Sequence, residues 1–557
     1  MSQQRTILKN VIWNWTGLGT NIIGMFVLFP FLVSRLGQSL YGVWALIAAL
    51  TGYLAVFDFG LRSSMARNIA FYQAKGDQDQ VNAVVSTGLA MLLRGAVIVV
   101  VLSFAAIPVF FAFFAKVVEG VDSTHVGMSI VLIGINLALL FPMSVFEGFL
   151  GAKQRFGLIN AIDIPHVILR VVFAVWLATP DSASLVVLGL VLVGATLFRL
   201  ILFVFVTFTV DPNLQVRWKF VNKKTSNELF HFGIWCFVMS TAYAVRAQMG
   251  PFFIGNQIGK SNLIPRYVSS NRVVQTVEKV LAVSSGVLTP LATKLYASEQ
   301  KAQQQKLFVY GGLVCMTLGA FFFGALLYLG GPFFRLWIRT DPGEAPAYDS
   351  WLLVILMIGE LIPFSQWVTY STVIGMNRHK LWAVMAILEV GSIVGLAWFL
   401  LPPYGLYGLC VAIAFAGAIF RGIVPMLYGC AILHVRFDHY FFQAMLPPVL
   451  ATTIPTVILW RMTTWHTPAT WLELVGYGLI YAGCFGATLV MFVFGPRRSI
   501  SLIRRVLRRE SNELEQDAKE TKPSSLDDSL GGGSAALLLG KPDASEGISH
   551  QTSESSR

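Results

Sequence analysis

The sequence predicts an all-helical protein that crosses a membrane many times. Hydrophobic residues make up 55% of the 557 residues and charged residues only 13%, whereas soluble domains carry about 25% charged residues. Apolar runs recur from Val11 to Val493, and most reach the roughly 20 residues that a helix needs to cross the hydrocarbon core. They are continuous in Leu, Val, Ile, Phe and Ala, without the alternating polarity of a membrane β-barrel. Helices are therefore the expected spanning elements.

Fourteen spanning helices are predicted in chain order. The first run is too long for a signal-peptide core and lacks a clear small-residue cleavage site, so we expect it to remain as the first helix. A first set of six lies near 10–33, 39–60, 84–114, 127–150, 159–178 and 184–209. The remaining eight lie near 229–254, 263–292, 307–331, 350–375, 381–400, 406–432, 443–460 and 469–495.

The basic residues predict how the chain is oriented. Fourteen crossings place both termini on one side, and about 23 Lys and Arg residues lie there against about 6 on the opposite side. This bias predicts cytoplasmic termini. The net charge of +12 is then mainly a topology signal, and no nucleic-acid partner is expected because the basic residues are spread along one membrane face. The basic segment at 497–509 is expected to contact anionic lipid headgroups. The polar, Ser-rich chain beyond it is predicted to be a disordered tail.

An internal repeat predicts two lobes. The segment that begins GAKQRF at Gly151 matches the segment that begins GMNRHK at Gly375, and Tyr72 matches Tyr296 at the same offset of 224 residues. Six helices in each copy preserve the orientation, so the lobes are parallel copies. The predicted domains are an N-lobe, a C-lobe, two additional helices and a cytoplasmic tail, at 1–210, 211–435, 436–496 and 497–557.

Four sequence stretches carry a family resemblance. They are LGQSLYGVWALIAALTGYLAVFDFGLRSSMARNIAFYQAKGD, EGFLGAKQRF, FFRLWI and YGLYGLCVAIA, and the likeness extends over 1–495. The chain resembles bacterial polysaccharide exporters of the O-antigen flippase type in the multidrug/oligosaccharidyl-lipid/polysaccharide (MOP) superfamily. The resemblance implies two six-helix bundles in a V, as in the MATE transporters. Many members have twelve helices, so the last two here are an addition.

The same resemblance implies a function. It implies a flippase of the bacterial inner membrane that moves an undecaprenyl-pyrophosphate-linked oligosaccharide from the cytoplasmic to the outer leaflet by alternating access. The expected partners are this polyprenyl-linked glycan, membrane lipids, H⁺ or Na⁺ as a coupling ion, and the polysaccharide polymerase and ligase machinery.

Ionisable residues inside the predicted spans are the candidate site residues, since each costs at least about 2.5–3.5 kcal/mol at mid-bilayer. Their number indicates a wet internal cavity. They include Arg94, Glu147, Asp163, Arg170, Arg199, Arg246, Arg272, Glu278, Lys279, Glu360, Glu389 and Arg421.

Binding of a pyrophosphate requires cationic donors along the path. Arg246 and Arg272 are predicted to bind it, because they lie on the first two helices of the second lobe, which by the resemblance face the cleft. Gln275 and Lys279 share a helix face with Arg272, with Glu278 beside it as a counter-ion, and Arg94 is a further candidate. The alternative is that such arginines snorkel to the interface or form structural ion pairs.

The first helix carries a polar stripe at helical spacing. Asn14 and Asn21 are predicted to line the sugar path, with Asn10 and Gly17 on the same face. Helix packing explains the stripe equally well.

Uphill transport requires ion coupling, and a buried carboxylate can exchange a proton as the cavity alternates sides. The predicted coupling residues are Glu278, Glu147, Glu360 and Asp58. Each of them fits a helix-end or salt-bridge role as well.

An enzyme, a cofactor and a metal site are not expected. GNQIGKS at Gly255 is one residue short of P-loop spacing, and the five cysteines lack paired spacing and read as packing residues. A membrane glycosyltransferase or ligase is the rival from another class, but it would require a larger catalytic loop. The nearer rivals are a multidrug/cation antiporter and a peptidoglycan lipid precursor flippase of the same superfamily.

Overall fold

The structure is a computed structural model that describes residues 3–58, 61–286, 288–338, 345–376 and 380–494. Throughout these ranges the chain is helical and contains no β-strand, which confirms the predicted fold class. The predicted tail at 497–557 lies outside the described residues.

Six helices form the first half of the chain. Two of the predicted spans lie within the first helix, which is broken at Gly37, where φ is 75°. A 3₁₀ turn, Tyr53–Asp58, continues it. The helices are α1 (Gln3–Gly52), α2 (Leu61–Ala74), α3 (Gln78–Phe114), α4 (Ser123–Ala152), α5 (Phe156–Leu177) and α6 (Ala183–Val210).

The second half repeats this pattern and adds two spans. A break at Gly405, where φ is 58°, divides α13 as Gly37 divides α1. π-helical turns lead from α13 into α14 at Ala418–Ile423 and from α15 into α16 at Phe441–Met445. The helices are α7 (Lys223–Phe253), α8 (Ile264–Gly286), α9 (Leu288–Ala297), α10 (Lys301–Trp337), α11 (Ser350–Ser365), α12 (Trp367–Gly375), α13 (Lys380–Gly417), α14 (Val424–Leu433), α15 (Phe437–Tyr440), α16 (Leu446–Trp465) and α17 (Trp471–Phe494).

Ten helical stretches of the described chain are long and apolar enough to cross a membrane. Two of them, the helix that ends at Gly52 and the stretch Lys380–Leu433, each contain a glycine break and so hold two spans. The helices α7 and α8 carry more charge and supply two more. The predicted fourteen helices are thereby accounted for.

The helix boundaries reproduce the internal repeat. α5 begins at Phe156 and α13 at Lys380, 224 residues later. The turn before α3 has Gly76 with φ 71°, and the equivalent turn before α10 has Glu299 with φ 55°. Because a left-handed residue recurs at both turns, the two copies share a backbone path as well as a hydrophobic pattern.

The last two spans pack on the C-lobe. Tyr481 and Phe485 of α17 contact Phe321 of α10, with ring centroids 5.4 Å apart in each pair. Thr488 donates a hydrogen bond to the carbonyl oxygen of Ala451 on α16 at 2.7 Å. The domain boundaries themselves stay a prediction.

The two lobes contact each other through α1. The indole nitrogen of Trp337 on α10 donates to the carbonyl oxygen of Phe26 at 2.6 Å, and its ring lies 4.7 Å from the ring of Phe26. A methyl group added at Gly42 would lie 2.0 Å from the carbonyl oxygen of Ser261, so the two backbones are in direct contact there. The lobes are therefore closed against each other at the end of the bundle that the charge bias predicts to be the outer one.

Candidate functional site

Five charged side chains form one buried cluster inside the C-lobe. We call it the ion cluster, and it comprises Arg246 of α7, Glu278 of α8, Glu360 of α11, Glu389 of α13 and Arg421 of the π-helical turn. The three glutamates are at most 5% exposed. Four helices and a turn thus converge on one buried site inside the C-lobe.

Arg421 is the centre of the ion cluster. Its Nε donates to Glu389 Oε1 at 2.6 Å, and its Nη1 donates to Glu360 Oε2 at 2.7 Å and to Glu278 Oε1 at 3.1 Å. Its Nη2 also donates to Glu360, which makes that pair bidentate. A Cβ at Gly417 would lie 2.5 Å from the guanidinium, so the glycine provides the space that Arg421 occupies.

Arg246 joins the ion cluster from α7. Its Nη2 lies 3.3 Å from Glu278 Oε1, and its Nη1 lies 3.8 Å from Glu360 Oε1. Its guanidinium also lies over the ring of Tyr243, 5.1 Å from the centroid. In this conformation the charge of Arg246 is compensated inside the lobe, and its binding of substrate stays a prediction.

The charges of the ion cluster do not balance. Two guanidiniums face three carboxylates, so with all five groups ionised the cluster carries one excess negative charge. An uncompensated charge costs several kcal/mol in such a buried place. Lys279, next to Glu278 on α8, is the neighbouring cation whose charge interacts with that carboxylate.

Arg272 lies at the contact between the lobes. Its Nη2 donates to the hydroxyl of Tyr41 at 2.9 Å, and its guanidinium lies 4.9 Å from the ring centroid of Phe29. Both partners belong to α1, whereas Arg272 belongs to α8. The expectation that Glu278 neutralises Arg272 is wrong, because Glu278 pairs with Arg246 and Arg421. Six residues separate 272 from 278, which is about 1.7 helical turns and points the two side chains in different directions.

Two further cations belong to the same region. The charge of Arg170 on α5 is repelled by that of Arg272, and Lys279 on α8 interacts with the charges of both Arg272 and Glu278. The Nε of Arg170 is buried and has no hydrogen-bond partner in the described structure. Lys279 is exposed. We call Arg170, Arg272 and Lys279 the interlobe basic group, since it draws on both lobes.

The N-lobe has a smaller ion pair of its own. Arg199 of α6 lies 2.6 Å from Asp163 of α5, and 3.8 Å from Glu147 of α4. The predicted coupling residue Glu147 is thus beside an arginine. It is about 13% exposed at the side chain.

The other predicted residues are placed as follows. Asn21 is exposed on α1 and donates to the carbonyl oxygen of Gly17 at 3.0 Å, within its own helix. Arg94 is exposed on α3, and Gln275 is half-buried on α8. The side chains of Asn14 and Asp58 lie outside the described residues.

Sequence reasoning placed Glu389, Arg421 and Arg170 among the charges within spans but gave them no role. The signal was their cost in a bilayer, which applies to all intramembrane charges alike. Tyr41 carried no such signal, because tyrosine is common in membrane helices. Only the packing of distant helices reveals these partners.

A family model described as polysaccharide biosynthesis protein matches residues 7–296, which is more than half of the chain. The chain belongs to this family. It is 23% identical over 414 residues to the "Putative O-antigen transporter" of Shigella flexneri, covering 73% of this chain and 94% of that protein. It is also 23% identical over 478 residues to the "Uncharacterized membrane protein EpsK" of Bacillus subtilis (strain 168), covering 83% of this chain and 91% of that protein.

Solved structures of MOP superfamily transporters share this fold. The lipid II flippase MurJ in an inward closed conformation has a TM-score of 0.62 and 13% identity, covering 87% of this chain and 98% of that one. A multidrug resistance MATE family transporter in an inward-facing conformation has a TM-score of 0.61 and 12% identity, covering 74% of this chain and 94% of that one. The chain therefore shares its fold with these transporters, as the sequence resemblance predicted.

Proposed function

We propose that this polysaccharide biosynthesis family protein is a flippase for polyprenyl-pyrophosphate-linked oligosaccharide and not an enzyme. The observation that carries the proposal is the interlobe basic group. Arg170 lies on α5 of the N-lobe and Arg272 on α8 of the C-lobe, where it contacts Tyr41 and Phe29 of α1. Lys279 lies about two turns further along the same face of α8. Such cations suit a pyrophosphate, and they do not suit a cationic drug.

The contact between Arg272 and Tyr41 links substrate binding to movement of the lobes. A guanidinium forms two parallel hydrogen bonds to phosphate, but in this conformation one of its nitrogens is bound to the Tyr41 hydroxyl at 2.9 Å. Pyrophosphate entering the cleft competes for that donor. Substrate binding would thus weaken a contact between the lobes, as alternating access requires.

The sugar portion would run along the helices that carry neutral polar residues. Asn21 is exposed on α1, and Asn14 and Arg94 remain proposed contacts with the glycan or its phosphates. Amide side chains both donate and accept hydrogen bonds, as sugar hydroxyls do. Gln275 would add a third amide on α8.

The ion cluster is the proposed coupling site. Its excess negative charge would be neutralised by H⁺ or Na⁺, with Glu278 and Glu360 as the binding carboxylates. Both accept hydrogen bonds from Arg421, so occupancy of the site changes the pairing of an arginine that contacts three helices. Glu147 and Asp58 are the proposed alternatives in the N-lobe.

The test is a deletion strain of the source bacterium. Wild-type protein should relieve the accumulation of undecaprenyl-pyrophosphate-linked repeat units in the cytoplasmic leaflet, and Arg272→Ala should relieve it poorly at equal expression. Arg461→Ala is the matched control, because this arginine lies on α16. Absence of accumulation together with raised sensitivity to cationic dyes would favour the multidrug antiporter.

A second candidate function rests on the length of the structural match. The lipid II flippase MurJ covers 87% of this chain and the MATE transporter covers 74%. A peptidoglycan lipid precursor would bring the same pyrophosphate to the same cations. Rescue of a strain depleted of its lipid II flippase would favour this substrate over a polysaccharide repeat unit.

The proposed location is the bacterial inner membrane, with both termini in the cytoplasm. Reporter fusions after α6 and after α17 test the orientation, since a phosphatase is active only outside the cytoplasm and a fluorescent protein only inside it. Co-purification with the polysaccharide polymerase and ligase would test the proposed partners.

A further inference from the structure

A cavity lined by apolar and charged side chains lies in the C-lobe, at the end of the bundle where α10 begins. It has a volume of about 730 Å³ and is bounded by the first turns of α10, the turn after α14, and α15 with the π-helical turn that follows. The ion cluster and the interlobe basic group contribute no residue to it. The residues that matter here are Lys306, Tyr310, His434, Arg436, Asp438, His439 and Phe442.

The walls of this cavity are held in place by buried contacts. Gln305 donates to the carbonyl oxygen of Leu433 at 2.9 Å, which ties α10 to the end of α14. Phe308 stacks on Tyr440 with centroids 4.5 Å apart, and a Cβ at Gly312 would lie 2.5 Å from the Tyr440 hydroxyl. The cavity is therefore preformed, because its three walls are packed against one another.

The charge of the lining favours an anion. Lys306 and Arg436 are cationic, and Asp438 is the single acidic residue among the lining residues. Arg436 is 84% exposed at the side chain and donates to both carboxylate oxygens of Asp438, at 3.1 and 2.9 Å, so Lys306 supplies the net positive charge. Two imidazoles, His434 and His439, add hydrogen-bond donors. The net charge of the lining residues is therefore +1 even when both histidines are neutral.

The remaining lining favours an amphiphile. Tyr310 and Phe442 line the cavity and are 61% and 62% exposed. One turn further along α10, Val314 is 57% exposed, so an apolar surface continues from the cavity toward the middle of the span. Aromatic residues at this level are typical of the membrane–water interface. A ligand with an anionic headgroup and acyl chains would contact the basic residues with its headgroup and the exposed apolar side chains with its chains.

We propose that this cavity binds the headgroup of an anionic phospholipid. Its phosphate would lie between Lys306 and Arg436, and its chains would lie along Tyr310, Val314 and Phe442. α10 begins on the side of the bundle that holds the termini, so the lipid belongs to the leaflet that the charge bias predicts to be cytoplasmic. Bound there, it bridges the C-lobe to the additional helices that start at α15.

The test compares lipids on the purified full-length protein. Native mass spectrometry in detergent would count bound phosphatidylglycerol against phosphatidylcholine of equal chain length. The variant Lys306→Gln with Arg436→Gln should bind phosphatidylglycerol about 25-fold more weakly, since each basic residue near an anionic lipid contributes about 1 kcal/mol, a factor of about five. The matched control, Lys301→Gln with Arg461→Gln, should bind it like wild type, because neither residue lines the cavity.

Two control experiments test whether the variants are folded and whether the ligand is a lipid or free phosphate. Helical circular dichroism and gel filtration must be unchanged in both double variants, so that lost binding reports the cavity. Inorganic phosphate at millimolar concentration should not displace the lipid. Equal binding of the two lipids, unchanged binding by the cavity variant, or displacement by phosphate alone would each overturn the proposal.

Discussion

Removal of Arg421 should destabilise the protein more than removal of any other member of the ion cluster. Arg421 donates to Glu278, Glu360 and Glu389, and Arg246 is the only other cation of the cluster. In Arg421→Gln, three buried carboxylates would face one guanidinium. Breaking a buried ion pair from one side costs about 3–5 kcal/mol, because the remaining charge stays desolvated.

The charge count makes the opposite prediction for Glu278. In Glu278→Gln, two carboxylates face two guanidiniums, so the cluster is neutral with all its groups ionised. The amide oxygen of Gln can still accept from Arg246 and Arg421. We therefore expect a change of less than about 1 kcal/mol, or a gain in stability.

Thermal unfolding in one detergent, followed by tryptophan fluorescence, measures both effects. Arg421→Gln should unfold at a clearly lower temperature than wild type, and Glu278→Gln close to it. Adding Glu389→Gln to Arg421→Gln should restore part of the loss, because it removes a carboxylate that Arg421 binds at 2.6 Å. The reasoning would be refuted by equal melting temperatures for Arg421→Gln and wild type, or by a loss in Glu278→Gln as large as that in Arg421→Gln.

Three further predictions concern the contact between the lobes and one strained turn. Gly42→Val should separate the middle of α1 from the turn that precedes α8, because its side chain would overlap the Ser261 carbonyl oxygen. Spin labels on these two segments should report a longer distance, and an unchanged distance would contradict the contact. Trp337→Phe should lengthen this distance by a smaller amount. It removes a hydrogen bond worth about 0.5–1.5 kcal/mol but retains an aromatic ring at the contact. Glu299→Gly should raise the melting temperature or leave it unchanged, because a left-handed residue other than glycine costs about 1 kcal/mol; a clear fall would show that the Glu299 side chain stabilises the turn.

The position of each helix could be predicted because spanning is a local property. About 20 apolar residues cross the bilayer wherever the rest of the chain lies, and the predicted helix near 184–209 differs from α6 by one residue at each end. Gly37 and Gly405 break long, mainly apolar helices. Charged or turn-forming residues near each glycine nevertheless allowed two separate spans to be predicted there. The repeat was visible because the two copies keep their spacing, as Phe156 and Lys380 show.

The partners of each charge were beyond sequence reasoning. Helical spacing correctly placed Arg272 and Lys279 along one side of α8, but it gave Glu278 the wrong counter-ion. The pairing of Arg421 with Glu278 joins residues 143 positions apart, and no local period relates such positions.

The sequence by itself determined that this chain is a membrane protein with fourteen predicted spans in two related halves and with many charges that require partners. The physical reason is that the bilayer acts on each segment separately, through its apolar length and its flanking basic residues. Tertiary structure alone decided that the arginines 246 and 421 balance glutamates inside the C-lobe while Arg272 contacts Tyr41 across the lobes. Those pairings depend on which helix faces are in contact, and these contacts are set by side-chain packing across the whole bundle.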